Sequence, residues 1–257
     1  MIKRLCLFLL TNIMVIITIS VVTSALGLHG YLSKYGIDYS QLAAFCAVWG
    51  MTGSFISLLL SKMMAKLSLN VRLITQATNN QQERLVYNIV KEYARKLQLT
   101  MPEVGVYDSP EFNAFATGAT RNNALVAVSS GLLTSMNEAE ITGVLGHEMS
   151  HIANGDMVTM TMLQGVVNAF AMFLSRVCAY GISMVLAARN NDQEASEPSP
   201  MVYNLSVVVF DILFTILGSV VVAAFSRWRE FGADAGGARL AGRDTMIAAL
   251  QRLQAPG

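Results

Sequence analysis

A mainly α-helical membrane protein, with four transmembrane helices and a small α+β domain in water, is the fold class this sequence predicts. Three observations carry that expectation. Of 257 residues, 53% are hydrophobic and only 14% charged, with a mean hydropathy of +0.47, too apolar for an ordinary soluble domain. Four runs, 5–28, 42–60, 157–187 and 202–225, have the length and composition of bilayer spans. The remaining polar residues gather into two pieces, 61–156 and 226–257, and the first contains the pentapeptide His147-Glu148-Met149-Ser150-His151.

Taken in chain order, the run 5–28 is longer than the apolar core of a signal peptide and is followed almost at once by the second span, so it reads as a retained anchor. Lys3, Arg4, Lys62, Lys66, Arg72, Arg227 and Arg229 flank the spans on one side, against Lys34 and Arg189 on the other. By the positive-inside rule the first side is cytoplasmic, and His147 and His151 lie on it. Cys6, Cys46 and Cys178 fall inside spans and read as small packing residues. A net charge of +1, with no basic run interleaved with aromatics, argues against a nucleic-acid partner.

Residues 80–97 space Leu85, Ile89, Val90 and Tyr93 on one helical face. Short valine-rich stretches at 104–107 and 124–128 read as strands, with 108–123 between them as a polar loop. The second strand is expected to be an exposed edge to which an extended peptide adds by backbone hydrogen bonds. Asn137 with Glu140 three residues on resembles a capping box, and Gly155 is a terminator. Together they predict a helix of about five turns carrying the pentapeptide near its end. The segment 189–200 is a polar outer loop.

On a helix, His147 and His151 share one face, so both rings can address one metal ion. Glu148 beside them is free to act as a base. A catalytic zinc needs a third protein ligand, and His29, the remaining histidine, lies across the membrane in this topology. An acidic ligand is therefore required. Glu230 and Asp234, again four apart, follow the fourth span on the correct side. Glu230 can ligate zinc while Asp234 reaches a ring N–H of a ligand histidine. Arg227, Arg229 and Asn113 are candidate oxyanion donors, the two arginines having interfacial anchoring as their plainer reading. Arg176 and Asp211 sit at matching depths, about 14–16 Å below the outer ends of their spans. Pairing is the economical reason for two charges in hydrocarbon, with a proton or ion pathway as the alternative.

The His147–His151 motif continued by Ile-Ala-Asn-Gly-Asp156, the segment Asn113-Ala-Phe-Ala-Thr-Gly118 and the block Arg229-Glu-Phe-Gly-Ala-Asp234 together resemble the HtpX family. These are membrane-bound bacterial zinc endopeptidases similar to the CAAX prenyl endopeptidases, and the resemblance spans nearly the whole chain. It implies a zincin-like α+β catalytic domain of gluzincin type, one Zn2+ per chain held by His147, His151 and Glu230, and Glu148 as catalytic base. It implies a substrate cleft drawing on Asn113, Ala114 and Phe115, to which the expected edge strand adds Ala124, Val126 and Val128 as candidates. It further implies the bacterial inner membrane as location and quality-control cleavage of damaged or unfolded membrane proteins as role. The expected organisation is a transmembrane hairpin at 1–60, a metalloprotease domain at 61–156, a second hairpin at 157–225 and a return segment at 226–257. The resemblance also implies a longer chain, so an end at 257 is expected to mark a shortened version. Gly232 stands where the family commonly has a larger residue, which should loosen its helix by up to about 1 kcal/mol relative to alanine. A zinc-binding transporter or sensor and a specific peptide-processing protease are the competing functions. Glu148 separates the first from a protease, because a sensor has no use for an unligated base beside the metal.

Overall fold

A computed structural model describes residues 36–189 and 199–254, together with Ile17, Val21 and the pair 32–33. The expected first span, with Cys6 and His29, lies outside the described residues apart from helical Ile17 and Val21, as does most of the loop 189–200. The elements in order are β1 (Leu32–Ser33), β2 (Gly36–Ile37), α1 (Tyr39–Ser68), β3 (Arg72–Ile74), α2 (Gln81–Lys96), β4 (Glu103–Tyr107), β5 (Ala114–Thr120), β6 (Asn123–Ser129), α3 (Ser130–Ser135), α4 (Glu138–Asn154), α5 (Asp156–Arg189), α6 (Pro200–Ala241) and α7 (Arg243–Gln254). Among the described residues three helices, α1, α5 and α6, are long and apolar enough to cross a membrane. The described residues divide into two compact units, one of 57–160 with 226–254, the other comprising the rest.

In the first unit a four-stranded mixed sheet has the order β3-β4-β6-β5. β4 and β6 are parallel, while β3 and β5 run antiparallel to their neighbours. The expectation that 124–128 forms an exposed edge is corrected here: β6 is an interior strand, with β4 on one side and β5 on the other. Ala124, Leu125, Val126, Ala127 and Val128 are all buried. A strand covered on both faces needs no alternation of apolar and polar residues, and Ala-Leu-Val-Ala-Val has none.

The edge is β5, within the segment read as a loop. Its sequence, Ala-Phe-Ala-Thr-Gly-Ala-Thr, is poor in β-formers, so it becomes a strand through pairing with β6 rather than through propensity. Gly118 has a φ of 150° beside a register shift, and a Cβ there would collide with the Asn123 carbonyl oxygen. Only glycine lets the two backbones approach so closely.

One face of the sheet presents Val104, Val106, Val126 and Val128 to α2 and α4, which contribute Val86, Val90, Tyr93, Ile141, Leu145, Met149 and Ile152. The opposite face packs Tyr107, Leu125 and Ala127 against Ala65, Val71 and Phe115. Fully burying each large aliphatic side chain stabilises the fold by about 1.5–3 kcal/mol. α2 starts where expected, because the Asn80 side chain accepts from the N–H groups of Gln82 and Glu83. Glu83 is buried, and Arg72 of β3 and the Thr78 hydroxyl both donate to it. Those donors hold its carboxyl below the usual carboxylate range, chiefly through the Arg72 hydrogen bond.

In the second unit Gly50 of α1 meets α5 at Gly165 and Ala169, where a Cβ would lie 2.6 Å from backbone atoms of both. Arg176 Nη1 of α5 lies 3.7 Å from Asp211 Oδ1 of α6. Arg176 also donates to the Met172 carbonyl at 3.0 Å and stands over the Phe45 ring. Along α6, Leu205, Val209, Ile212, Ile216 and Val220 are exposed, the pattern of a helix whose solvent is hydrocarbon.

Candidate metal centre

Helix α4 is locally specified at both ends. Asn137 accepts from the Glu140 N–H while Glu140 accepts from the Asn137 N–H, a complete capping box. At the other end Gly155 takes the left-handed conformation, φ 71°, and closes the last turn. Arg121, from the turn between β5 and β6, donates to the Asn154 carbonyl at 3.2 Å. The helix thus places His147 and His151 with ring centroids 4.7 Å apart and edge-on.

Helix α6 brings the acidic residues to them. Glu230 Oε2 lies 3.2 Å from His147 Nε2 and 3.6 Å from His151 Nε2, and the two Nε2 atoms are 3.1 Å apart. These separations are close to the roughly 3.3 Å edge of a tetrahedron whose ligands stand about 2.0–2.1 Å from a central zinc. Among the described residues, this trio is the group of histidine and carboxylate ligand atoms that converges tightly enough to hold a metal ion. The approach of α6 to α4 depends on small residues. A Cβ on Gly236 would lie 2.5 Å from Ser150 Oγ and 2.7 Å from its Cβ, and one on Gly237 would lie 3.0 Å from the His147 backbone N.

The other imidazole nitrogens are engaged by carboxylates. His147 Nδ1 is 2.8 Å from Asp234 Oδ1, and His151 Nδ1 is 2.5 Å from Asp156 Oδ2. A carboxylate at Nδ1 fixes the tautomer that leaves Nε2 as a ligand and orients the ring. From the sequence, Asp156 is placed only at the helix end and in the family motif; the signal for its second function is an acid five residues beyond His151, immediately after the glycine cap. Asp156 is also ion-paired with Arg229.

Glu148 is half-buried, and its carboxylate accepts from the backbone N–H of Ala116 on β5. Burial pushes its carboxyl up to about 7, against the pull of His151 and the Ala116 N–H, with Glu230 adding to the rise.

Asn113 leads into β5, its N–H donating to Ser129 Oγ and its carbonyl accepting from the Ser129 N–H. Ala114 and Phe115 lie on β5, where Phe115 packs against Tyr107 with ring centroids 5.6 Å apart. Ala124, Val126 and Val128 belong to the interior strand β6 and are buried in the core against α2 and α4. Arg227 is exposed, whereas Arg229 faces buried Asp156 and is not an open oxyanion donor. Gly232 has nothing within 4 Å of where a Cβ would stand.

Residues 80–255 match the Peptidase family M48. The chain is 50% identical to a Protease HtpX homolog of Methylacidiphilum infernorum, over 99% of this chain and 83% of that protein. It is 52% identical to the Protease HtpX of Aeromonas hydrophila, over 98% of this chain and 85% of the relative. The crystal structure of S. mikatae Ste24p has a similar fold, with a TM-score of 0.62 at 17% identity, covering 99% of this chain and 60% of that one. With its apolar helices and its paired histidines, the chain belongs to the HtpX membrane proteases of peptidase family M48.

Proposed function

We propose that this protease is a zinc-dependent endopeptidase of the bacterial inner membrane, with its catalytic residues on the cytoplasmic face. Its substrates are misfolded or damaged membrane proteins and other unfolded polypeptide segments. The observation that carries the reading is the convergence of His147, His151 and Glu230 beside a carboxylate, Glu148, that none of them engages as a ligand partner. The orientation rests on the excess of Lys and Arg flanking the spans on the side of the site.

Zinc held by His147, His151 and Glu230 would polarise the scissile carbonyl and lower the pKa of the attacking water. Glu148 takes the proton from that water and passes it to the leaving amine. Burial of the Glu148 carboxyl favours its protonated form, the direction that helps a carboxylate take up a proton from water. Asp234 and Asp156 keep the two imidazoles in register.

The substrate strand adds to β5 rather than to β6. β5 pairs with β6 on one side, and its Ala116 N–H points to Glu148, away from that ladder. A peptide laid along this free edge by backbone hydrogen bonds passes the base at the scissile bond, with little demand on side-chain identity. Such binding fits cleavage of unfolded segments.

The test is cleavage of an unfolded model protein by detergent-purified chain supplied with zinc. Wild type should cut and Glu148→Gln should be about a hundred- to ten-thousandfold slower, as expected for removal of a general base from its reaction. Equal cleavage by the two would overturn the role of Glu148, and no cleavage by either although zinc is bound would favour the transporter or sensor reading.

A further inference from the structure

Asp156 and Arg229 form an ion pair whose side chains are only 7% and 10% exposed. Charges so well withdrawn from water are costly unless each meets a partner. Asp156 has two: the Arg229 guanidinium and, at 2.5 Å, His151 Nδ1. It opens α5 directly after the Gly155 cap of α4, while Arg229 is on α6 immediately before Glu230. Three elements therefore meet at one carboxylate.

We infer that Asp156 and Arg229 are positioning residues that clamp His151 and the Glu230 segment into a single ligand set. The inference rests on the zinc reading proposed above. Asp234 already ties α6 to His147 near one end of the site. The Asp156–Arg229 pair supplies the second tie, from His151 to the residue beside Glu230, so α6 is held against α4 at two points and cannot roll Glu230 away from the Nε2 atoms. The charge balance agrees. Glu148 apart, Glu230 and Asp234 bring two negative charges to two neutral imidazoles, which matches a divalent cation. Asp156 alone would add a third negative charge, and Arg229 cancels it. The same pairing keeps a guanidinium one residue from a ligand without leaving it to compete for the Glu230 carboxylate.

The test uses the 257-residue chain in detergent, with zinc affinity read by competition against a chromophoric chelator and the melting temperature of the zinc-free form read alongside. Asp156→Asn and Arg229→Ala should each weaken zinc binding ten- to a hundredfold, the usual effect of removing a group that orients a ligand. Arg229→Lys, which keeps the charge, should recover most of the loss. The double variant Asp156→Asn with Arg229→Ala should be no weaker than the product of the single effects would require, and close to the worse single, because the two act as a unit. Cobalt-loaded wild type and Asp156→Asn should differ in their visible spectra, a change that a merely structural role would not produce. Wild-type zinc affinity in Arg229→Ala, or multiplicative losses in the double variant, would overturn the inference while leaving the zinc reading intact. Absence of zinc binding by wild type would overturn both.

Discussion

The backbone N–H of Ala116, on the edge strand β5, donates to the carboxylate of Glu148, on the helix that carries both histidines. The base and the free edge of the sheet are thus one structural unit. Proline at Ala114, two residues earlier and on the same side of the strand, removes an N–H that faces away from β6 without breaking the ladder. Ala114→Pro should raise KM for an unfolded substrate about tenfold or more with little change in melting temperature. An unchanged KM would argue against strand addition at β5.

Glycines on α6 separate packing from helix propensity. Gly236→Ala places a methyl group against Ser150 and must push α6 off α4, at a cost of about 1–3 kcal/mol. Gly232→Ala meets open space and should stabilise the helix by up to about 1 kcal/mol. Thermal melts should move in opposite directions, and zinc affinity should fall in the first variant alone.

Stability on the acid side should depend on Glu83. Its folded carboxyl lies below the ordinary range because Arg72 donates to the ionised form. The stabilisation is therefore fully present above the ordinary Glu pKa and is lost as pH falls through the lowered folded value. Glu83→Gln should cost about 2 kcal/mol near neutrality, and the gap from wild type should close as pH falls below the ordinary Glu range and through the lowered folded value. A gap that stays constant across that window would show that Glu83 stabilises by packing alone.

The Arg176–Asp211 pair invites a charge swap. Asp211→Arg and Arg176→Asp should each lower the melting temperature in detergent, since either replaces an opposite-charge pair within the spans by like charges. Combining them should restore most of the loss. Failure of the double variant to recover would favour an ion or proton pathway over a structural pair.

Much of this architecture was legible because local chemistry declares it. Asn80, Asn137 with Glu140, and Gly155 announce helix ends through their own hydrogen bonds, and α2 and α4 begin and stop there. The four-residue spacings of His147 with His151 and of Glu230 with Asp234 declare shared faces, and the fold brings those faces together. What escaped was decided by partners distant in sequence. β5 is strand only because β6 lies beside it, and β6 is interior only because β5 covers the edge left to it. Asp156 finds its function through Arg229, more than seventy residues away along the chain. No periodicity within either segment could carry that information.

A zinc held by two imidazoles and the Glu230 carboxylate has a distinctive coordination shell, which X-ray absorption at the zinc edge of the purified protein reads out. The expected result is one zinc per chain in a shell of nitrogen and oxygen with no sulfur, with the imidazole signature retained in Glu148→Gln and the metal lost in His147→Ala. A shell containing sulfur, or zinc held undiminished by His147→Ala, would contradict it.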